Sequence, residues 1–289
     1  MSKAKEKESD VIVRPSTAVS ADTRPEHLRG REIVGVDLLK GYIVPPRLKF
    51  VQPQSKAPFS DNFNKGDVVL VPQMELIAPV ELNAQGKPSD KGTPIAFTPI
   101  YFYPEWCCWN PIQTKGQLDS IRARTLDPKT ELAHKARNKE LWFEKCPEKP
   151  EFSIRYVEHL NFLIMLHGVD IGNIPVVVSF ARTGHRAGTN LAALIKMRNA
   201  DPFGCIFQLQ MQFTQNESGE WYQPQVTNPS AELLERTGLT PWVEDAAAFK
   251  AYEELHYELK QKHADAKIQV EYEDPSEEGA ADPSESTKY

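Results

Sequence analysis

Proline interrupts this chain too often for a helical bundle or for long central strands. Its 289 residues include 23 prolines, about 8% against a usual share of about 5%. Proline lacks the backbone N–H that helix interiors and central strands require. The expectation is a mainly β protein, with minor α, made of short strands joined by turns. From residue 36 onward the pattern agrees, with short apolar runs at 49–51, 68–71, 95–103 and 174–180 set between Pro, Gly and Asn. The clearest strand covers 204–213, where Cys205, Phe207, Leu209, Met211 and Phe213 alternate with Ile206, Gln208, Gln210 and Gln212. Period two places one face in a core and turns a glutamine-rich face outward. Gln215-Asn216-Glu217-Ser218-Gly219 is turn chemistry, and 221–226 returns as the partner strand. Residues 156–166 and 174–180 read as a second hairpin. A helix stays open for its first half, because Leu160, Ile164 and Leu166 do not decide the period.

Two helices are expected. Residues 187–199 carry Leu191, Leu194, Ile195 and Met197 near a helical stripe, ended by Asp201-Pro202. Residues 242–264 place Phe249, Tyr252, Leu255 and Leu259 three and four apart, an amphipathic helix with Lys260, Lys262 and His263 at its dipole-favoured end. Polar residues 1–35 lack periodicity and are expected to form a disordered arm. Residues 36–264 form the folded domain, and 265–289 are a disordered acidic tail.

That tail explains the net charge of −6. Glu271, Glu273, Asp274, Glu277, Glu278, Asp282 and Glu285 face the single base Lys288, which leaves residues 1–270 neutral. No apolar run approaches the ~18 residues of a membrane span, and residues 1–10 lack the apolar centre of a signal peptide. The four cysteines do not form a disulfide framework, so a reducing cytoplasm is expected.

Catalytic motifs are missing: there is no phosphate-binding Gly-x-x-x-x-Gly-Lys-Ser/Thr, no His-Glu-x-x-His and no Gly-x-Ser-x-Gly. The chain is therefore read as a non-enzyme without a cofactor. Cys107, Cys108, His134 and Cys146 lie within one stretch and are a weak zinc candidate. Structural zinc favours Cys-x₂₋₄-Cys pairs, so buried apolar cysteines are the alternative.

The remaining chemistry is that of a polyanion binder. Residues 171–200 contain no acid, while Arg182, Arg186, Lys196 and Arg198 are basic and His185 adds a donor. Residues 181–190 leave a strand and enter a helix, where exposed N–H groups beside arginines suit phosphate oxygens. A solvated turn is the plainer alternative. Single-strand binders add aromatic rings on which bases stack. Tyr103, Trp106 and Trp109, in the densest aromatic run of the chain, and Trp221 are the candidates, unless they are core. The acidic tail can mimic a phosphate backbone or recruit basic partners.

Leu48-Lys49-Phe50-Val51-Gln52 with Gly66-Asp67-Val68-Val69-Leu70 is one of three places that carry a resemblance. The second is Val176-Val177-Val178-Ser179-Phe180 with Ala181-Arg182-Thr183 and the following helix. The third is the 205–213 strand with its turn, Trp221-Tyr222 and the acidic end. In these the chain resembles bacteriophage-type single-stranded DNA-binding proteins. The resemblance implies an OB-like barrel with 107–146 as an insertion, a helix after the strand near 180, and the C-terminal helix outside it. It also implies a role in phage DNA replication and recombination in the host cytoplasm without a cofactor. The strand is bound without strict sequence preference, and the tail contacts replication proteins such as polymerase and helicase-primase. Two other classes stay open. One is a virion or assembly interaction protein that does not bind nucleic acid. The other is an unrecognised enzyme such as a nuclease, which would need clustered carboxylates for metal.

Overall fold

The chain's two longest strands, fifteen residues each, run side by side through the middle of the molecule. The structure is a computed structural model and describes residues 45–264 apart from 54, 56, 83–87, 112–119, 172–173 and 217–218. Before the long pair come β1 (Arg47–Phe50), α1 (Phe59–Asn62), β2 (Val68–Val71), β3 (Glu75–Ala78), β4 (Val80–Leu82) and β5 (Pro88–Gly92). The long strands are β6 (Ile95–Trp109) and β9 (Ser153–His167), and between them lie β7 (Ile121–Thr125), α2 (Glu131–Arg137) and β8 (Phe143–Lys145). After them follow β10 (Val176–Ala181), α3 (His185–Arg198), β11 (Phe207–Asn216), β12 (Gly219–Thr227), α4 (Ala231–Thr237) and α5 (Ala246–Ala264). The mainly β expectation holds.

Among the described residues the twelve strands join one sheet in the order β3-β2-β1-β10-β9-β6-β11-β5-β4, with β12 on β11, β7 on β6 and β8 on β9. All neighbours are antiparallel except β1 and β10, which meet in parallel at Arg47 and Val177. β6 and β9 pair from Ala96↔His167 to Trp109↔Arg155, with a bulge between Pro99 and Tyr101. Pro99 has no N–H to give to the ladder, and a bulge is where a central strand accommodates that loss.

The expected OB-like barrel is not what forms: the sheet is not closed. Its terminal strands, β3 and β4, follow one another through the single residue Pro79. The sheet nevertheless bends round, because those ends are covalently joined. One apolar cluster gathers Phe50 and Leu70 from β1 and β2, Phe162 and Phe180 from β9 and β10, Phe97 from β6, and Phe207 and Tyr222 from β11 and β12. Two long-range links hold the bend. The Gln52 side chain donates to the Tyr222 carbonyl at 2.8 Å and accepts from its N–H at 3.0 Å. Asp67, buried, accepts from Val80 N–H at 2.8 Å and from Asn64 N–H at 2.7 Å.

On the other face of the sheet, Ile100, Tyr103, Leu163 and Val177 pack under α5 through Phe249, Tyr252, Leu255 and Leu259. This is the stripe expected of the C-terminal helix, which starts at Ala246 rather than at 242. Trp242 instead bridges to Cys205. The helix near 190 runs His185–Arg198 and ends on Asn199 in the left-handed conformation at φ 49°. Residues 156–166 are strand, not helix. The glutamine face of β11 is partly covered, since Gln208 is buried and accepts from Ser230 N–H at the start of α4. The expected insertion at 107–146 is a flanking lobe in which α2 covers Trp106, Cys108, Cys146 and Tyr156. The expected arm at 1–35 and tail at 265–289 fall outside the described residues. No helix among those described is long and apolar enough to cross a membrane.

Candidate nucleic-acid interface

Where β10 meets α3 the backbone turns sharply. Arg182 takes φ 47°, a left-handed conformation costly for a side chain with a Cβ, and residues Arg182–Gly184 form a 3₁₀ turn. Neighbouring chain holds the turn in place: Gln223 on β12 donates to the Thr183 carbonyl at 3.0 Å. Gly188 sits so close to the sheet that a Cβ there would lie 2.9 Å from Leu160 Cδ1. No side chain caps the start of α3. The turn presents Arg182 and His185 half-buried and Arg186 exposed.

A carboxylate on β9 ties this turn to α2. Glu158 meets His185 Nε2 at 2.8 Å, and Arg137 Nε, at the end of α2, at 3.3 Å. Trp106 Nε1 donates to the same carboxylate at 2.8 Å, and the Arg137 guanidinium stacks 4.3 Å from the Trp106 ring. Burial acts to raise the Glu158 pKa. The hydrogen bonds from His185, Trp106 and Arg137 outweigh it and hold the carboxyl below its ordinary value.

Beside Arg137 lies an open cleft of about 650 Å³, lined by Pro128, Lys129, Thr130, His134, Arg137, Asn138 and Lys139. None of these is acidic. Thr130 caps α2 by accepting from Ala133 N–H at 3.3 Å, and Arg137 Nη1 donates to the Pro128 carbonyl. Among the described residues the Lys129 and Lys139 ammonium groups and the His134 ring have no hydrogen-bond or ion-pair partner. Three acids flank the lining in sequence, Asp127, Glu131 and Glu140; Glu131 pairs with Lys135, and Asp127 accepts from Lys129 N–H at 2.9 Å. Lys139 Nζ lies 5.6 Å from the half-buried Trp142 ring.

The residues named from sequence divide accordingly. Arg182, His185 and Arg186 are brought together. Exposed Lys196 lies ten residues, about 15 Å, farther along the helix. Arg198 is committed to the fold, bonded to Asn228 and the Pro241 carbonyl and stacked on Phe207 and Trp242. The stacking assignment needs correction. Tyr103, Trp106 and Trp109 are at most 1% exposed, because β6 is paired with β9 along its length, with α5 over Tyr103, α2 over Trp106, and Cys107, Val157 and Ala181 packed around Trp109. Buried rings offer no face to a base. Trp221 is half-buried on β12. Among the described residues the exposed aromatic rings are Phe102, Phe143, Trp242 and Tyr257, at 42%, 45%, 45% and 58%.

Cys107 and Cys108 point to opposite faces of β6, the first toward Trp109 and Val157, the second toward Cys146 under α2. They cannot serve one ion together. His134 lines the cleft instead, and Cys146 Sγ lies 3.1 Å from Glu148. Among the described residues no three His, Cys, Asp or Glu side chains converge as metal ligands.

Sequence reasoning missed Lys129, Arg137 and Lys139, which are interspersed with Asp127, Glu131 and Glu140 along the chain. The signal available was Arg137-Asn138-Lys139-Glu140-Leu141-Trp142-Phe143, with bases and rings adjacent. Compared with known proteins, the chain matches at residues 83–265 a family model described as Pam3 phage gp34-like protein. No curated protein and no solved structure matches it.

Proposed function

The chain belongs to the Pam3 phage gp34-like family, and on that premise we propose that it is a phage protein that binds single-stranded nucleic acid during DNA replication or recombination. The strand runs over the β10–α3 turn, its phosphates met by Arg182, His185, Arg186 and then Lys196. Binding without strict sequence preference follows from contacts to the backbone, which carries no base identity. The acidic residues 271–289 compete for this surface or recruit partner proteins.

One observation supports this reading above the others: His185 and Arg137 share Glu158, so the ends of two helices far apart in sequence form one surface. The test is a fluorescence titration with oligothymidylate, oligouridylate and duplex DNA across a salt series. Single strands should bind more tightly than duplex. Replacing Arg186 and Lys196 together with Ala should lower the slope of log affinity against log salt by about 0.7 per lost contact. An unchanged slope would move the strand elsewhere on the protein, and absence of binding at low salt would end the proposal.

An assembly role has one observation of its own. β8 is exposed throughout, its Phe143 at 45%, and Leu141 just before it is 37% exposed. An edge strand of that kind can add a strand from a partner. Concentration-dependent association in light scattering, without nucleic-acid binding, would favour that role.

A further inference from the structure

We propose that the α2 cleft is a phosphomonoester site whose occupant is the 5′-phosphate end of a nucleic-acid strand. The inference rests on the strand-binding reading above and gives it an end preference.

The charge count comes first. Lys129 and Lys139 have no hydrogen-bond or ion-pair partner among the described residues, and Arg137 makes a third cation, shared with Glu158. A phosphodiester in mid-strand carries one negative charge. A phosphomonoester carries about 1.5 to 2 at neutral pH and three acceptor oxygens. With Glu158 on Arg137 and the exposed Asp127 and Glu140 next to the lining in sequence, the match lies in donors more than in net charge: three cationic groups meet the three oxygens of a terminal phosphate better than the two free oxygens of a diester.

Shape and donors agree. The cleft is open, with about 650 Å³ of space, so a phosphate and its sugar can rest against its donors from the solvent side. Asn138 Oδ1 already accepts from Glu140 N–H, while its amide NH₂ has no partner among the described residues. Arg137 is fixed from two sides, by Glu158 and by the Pro128 carbonyl. A guanidinium held in that way is preorganised for oxygen ligands. Trp142, beside Lys139, is placed to stack on the first base, and Phe143 follows it. Through Glu158 the cleft also adjoins the α3 turn, so a strand seated by its end there has its next phosphates directed toward His185 and Arg186.

The experiment measures three affinities for the full-length protein and for Lys129→Gln/Lys139→Gln. The ligands are oligothymidylate with a 5′-phosphate, the same strand with a 5′-hydroxyl, and thymidine monophosphate by calorimetry. The expected result is an affinity about tenfold greater for the phosphorylated strand, the scale of one or two charge-assisted phosphate contacts. In the double variant that ratio falls to about one. Equal affinity for the two strands, with thymidine monophosphate bound by the wild type and lost in the variant, would keep the phosphomonoester site and assign it to free nucleotides. A ratio that survives in the variant, or a wild type that neither prefers the phosphorylated strand nor binds the nucleotide, overturns the inference. In that last case, tight binding of the hydroxyl strand would leave the strand-binding reading intact, and its absence would remove both.

Discussion

At the scale of single residues, His159 shows how the fold overrides what a side chain does in water. It lies in the middle of β9, paired with Glu105 on β6 and Ala181 on β10, with Nδ1 3.1 Å from the Ser179 hydroxyl. Burial first, then the positive charges of Arg47 and Arg182, pushes its pKa down to about 3. The folded state thus holds the neutral ring, while the unfolded chain takes up a proton near pH 6.5. Stability from this site is fully present above pH 6.5 and is lost as the pH falls toward 3, at up to about 1.4 kcal/mol per pH unit. Urea denaturation between pH 7 and 4 should show that decline in the wild type and a shallower one in His159→Gln. Parallel curves would place the proton uptake elsewhere. His167, whose pKa burial also lowers, acts in the same direction and remains in both proteins. None of this was legible in the sequence, where His159 is one of seven scattered histidines. The same blindness left Tyr103, Trp106 and Trp109 as stacking candidates. Composition shows that rings are present, and only the pairing of β6 with β9 shows where they face.

Elements were easier to read where one face meets water. β11 alternates cleanly because its far side is only partly covered, and its hairpin with β12 was legible to within a few residues. β9 was ambiguous because it is central: β6 and β10 flank it, and apolar residues occupy both faces. Two-sided burial erases period two. α3 was legible from Leu191, Leu194 and Ile195, but its closeness to the sheet was not. Two effects compete at Gly188. Alanine has the better helix propensity by about 1 kcal/mol. Its Cβ would also lie 2.9 Å from Leu160 Cδ1 and 3.0 Å from Phe180 Cβ, and overpacking of that kind costs about 1–3 kcal/mol. The contact should win, so Gly188→Ala should lower the midpoint of chemical denaturation. A raised midpoint would show that α3 can move off the sheet without loss.

For the whole molecule, the resemblance anticipated strands curved about a core and missed how the curve is held. The ends of this sheet are joined by Pro79 and by side chains distant in sequence, and a one-dimensional pattern carries no record of either. Gln52 matters most here, because its amide does for Tyr222 what a neighbouring strand would do, forming one bond in each direction. Gln52→Ala leaves a buried N–H and C=O without partners, at about 1–3 kcal/mol for each. A combined loss of about 2–6 kcal/mol is expected in equilibrium unfolding. A loss below 1 kcal/mol would mean that the bend is held without it.

The parallel pairing of β1 with β10 also bears on how the protein is made. Arg47 leaves the ribosome about 130 residues before its partner Val177. At roughly 5–20 residues per second, β1 and the Val68–Val71 strand beside it wait on the order of ten seconds with one apolar edge uncovered. In a cell filling with copies of one product, neighbouring nascent chains offer that edge the same sequence. Yield should therefore respond to the rate of translation and to chaperone supply more than to the stability of the finished fold.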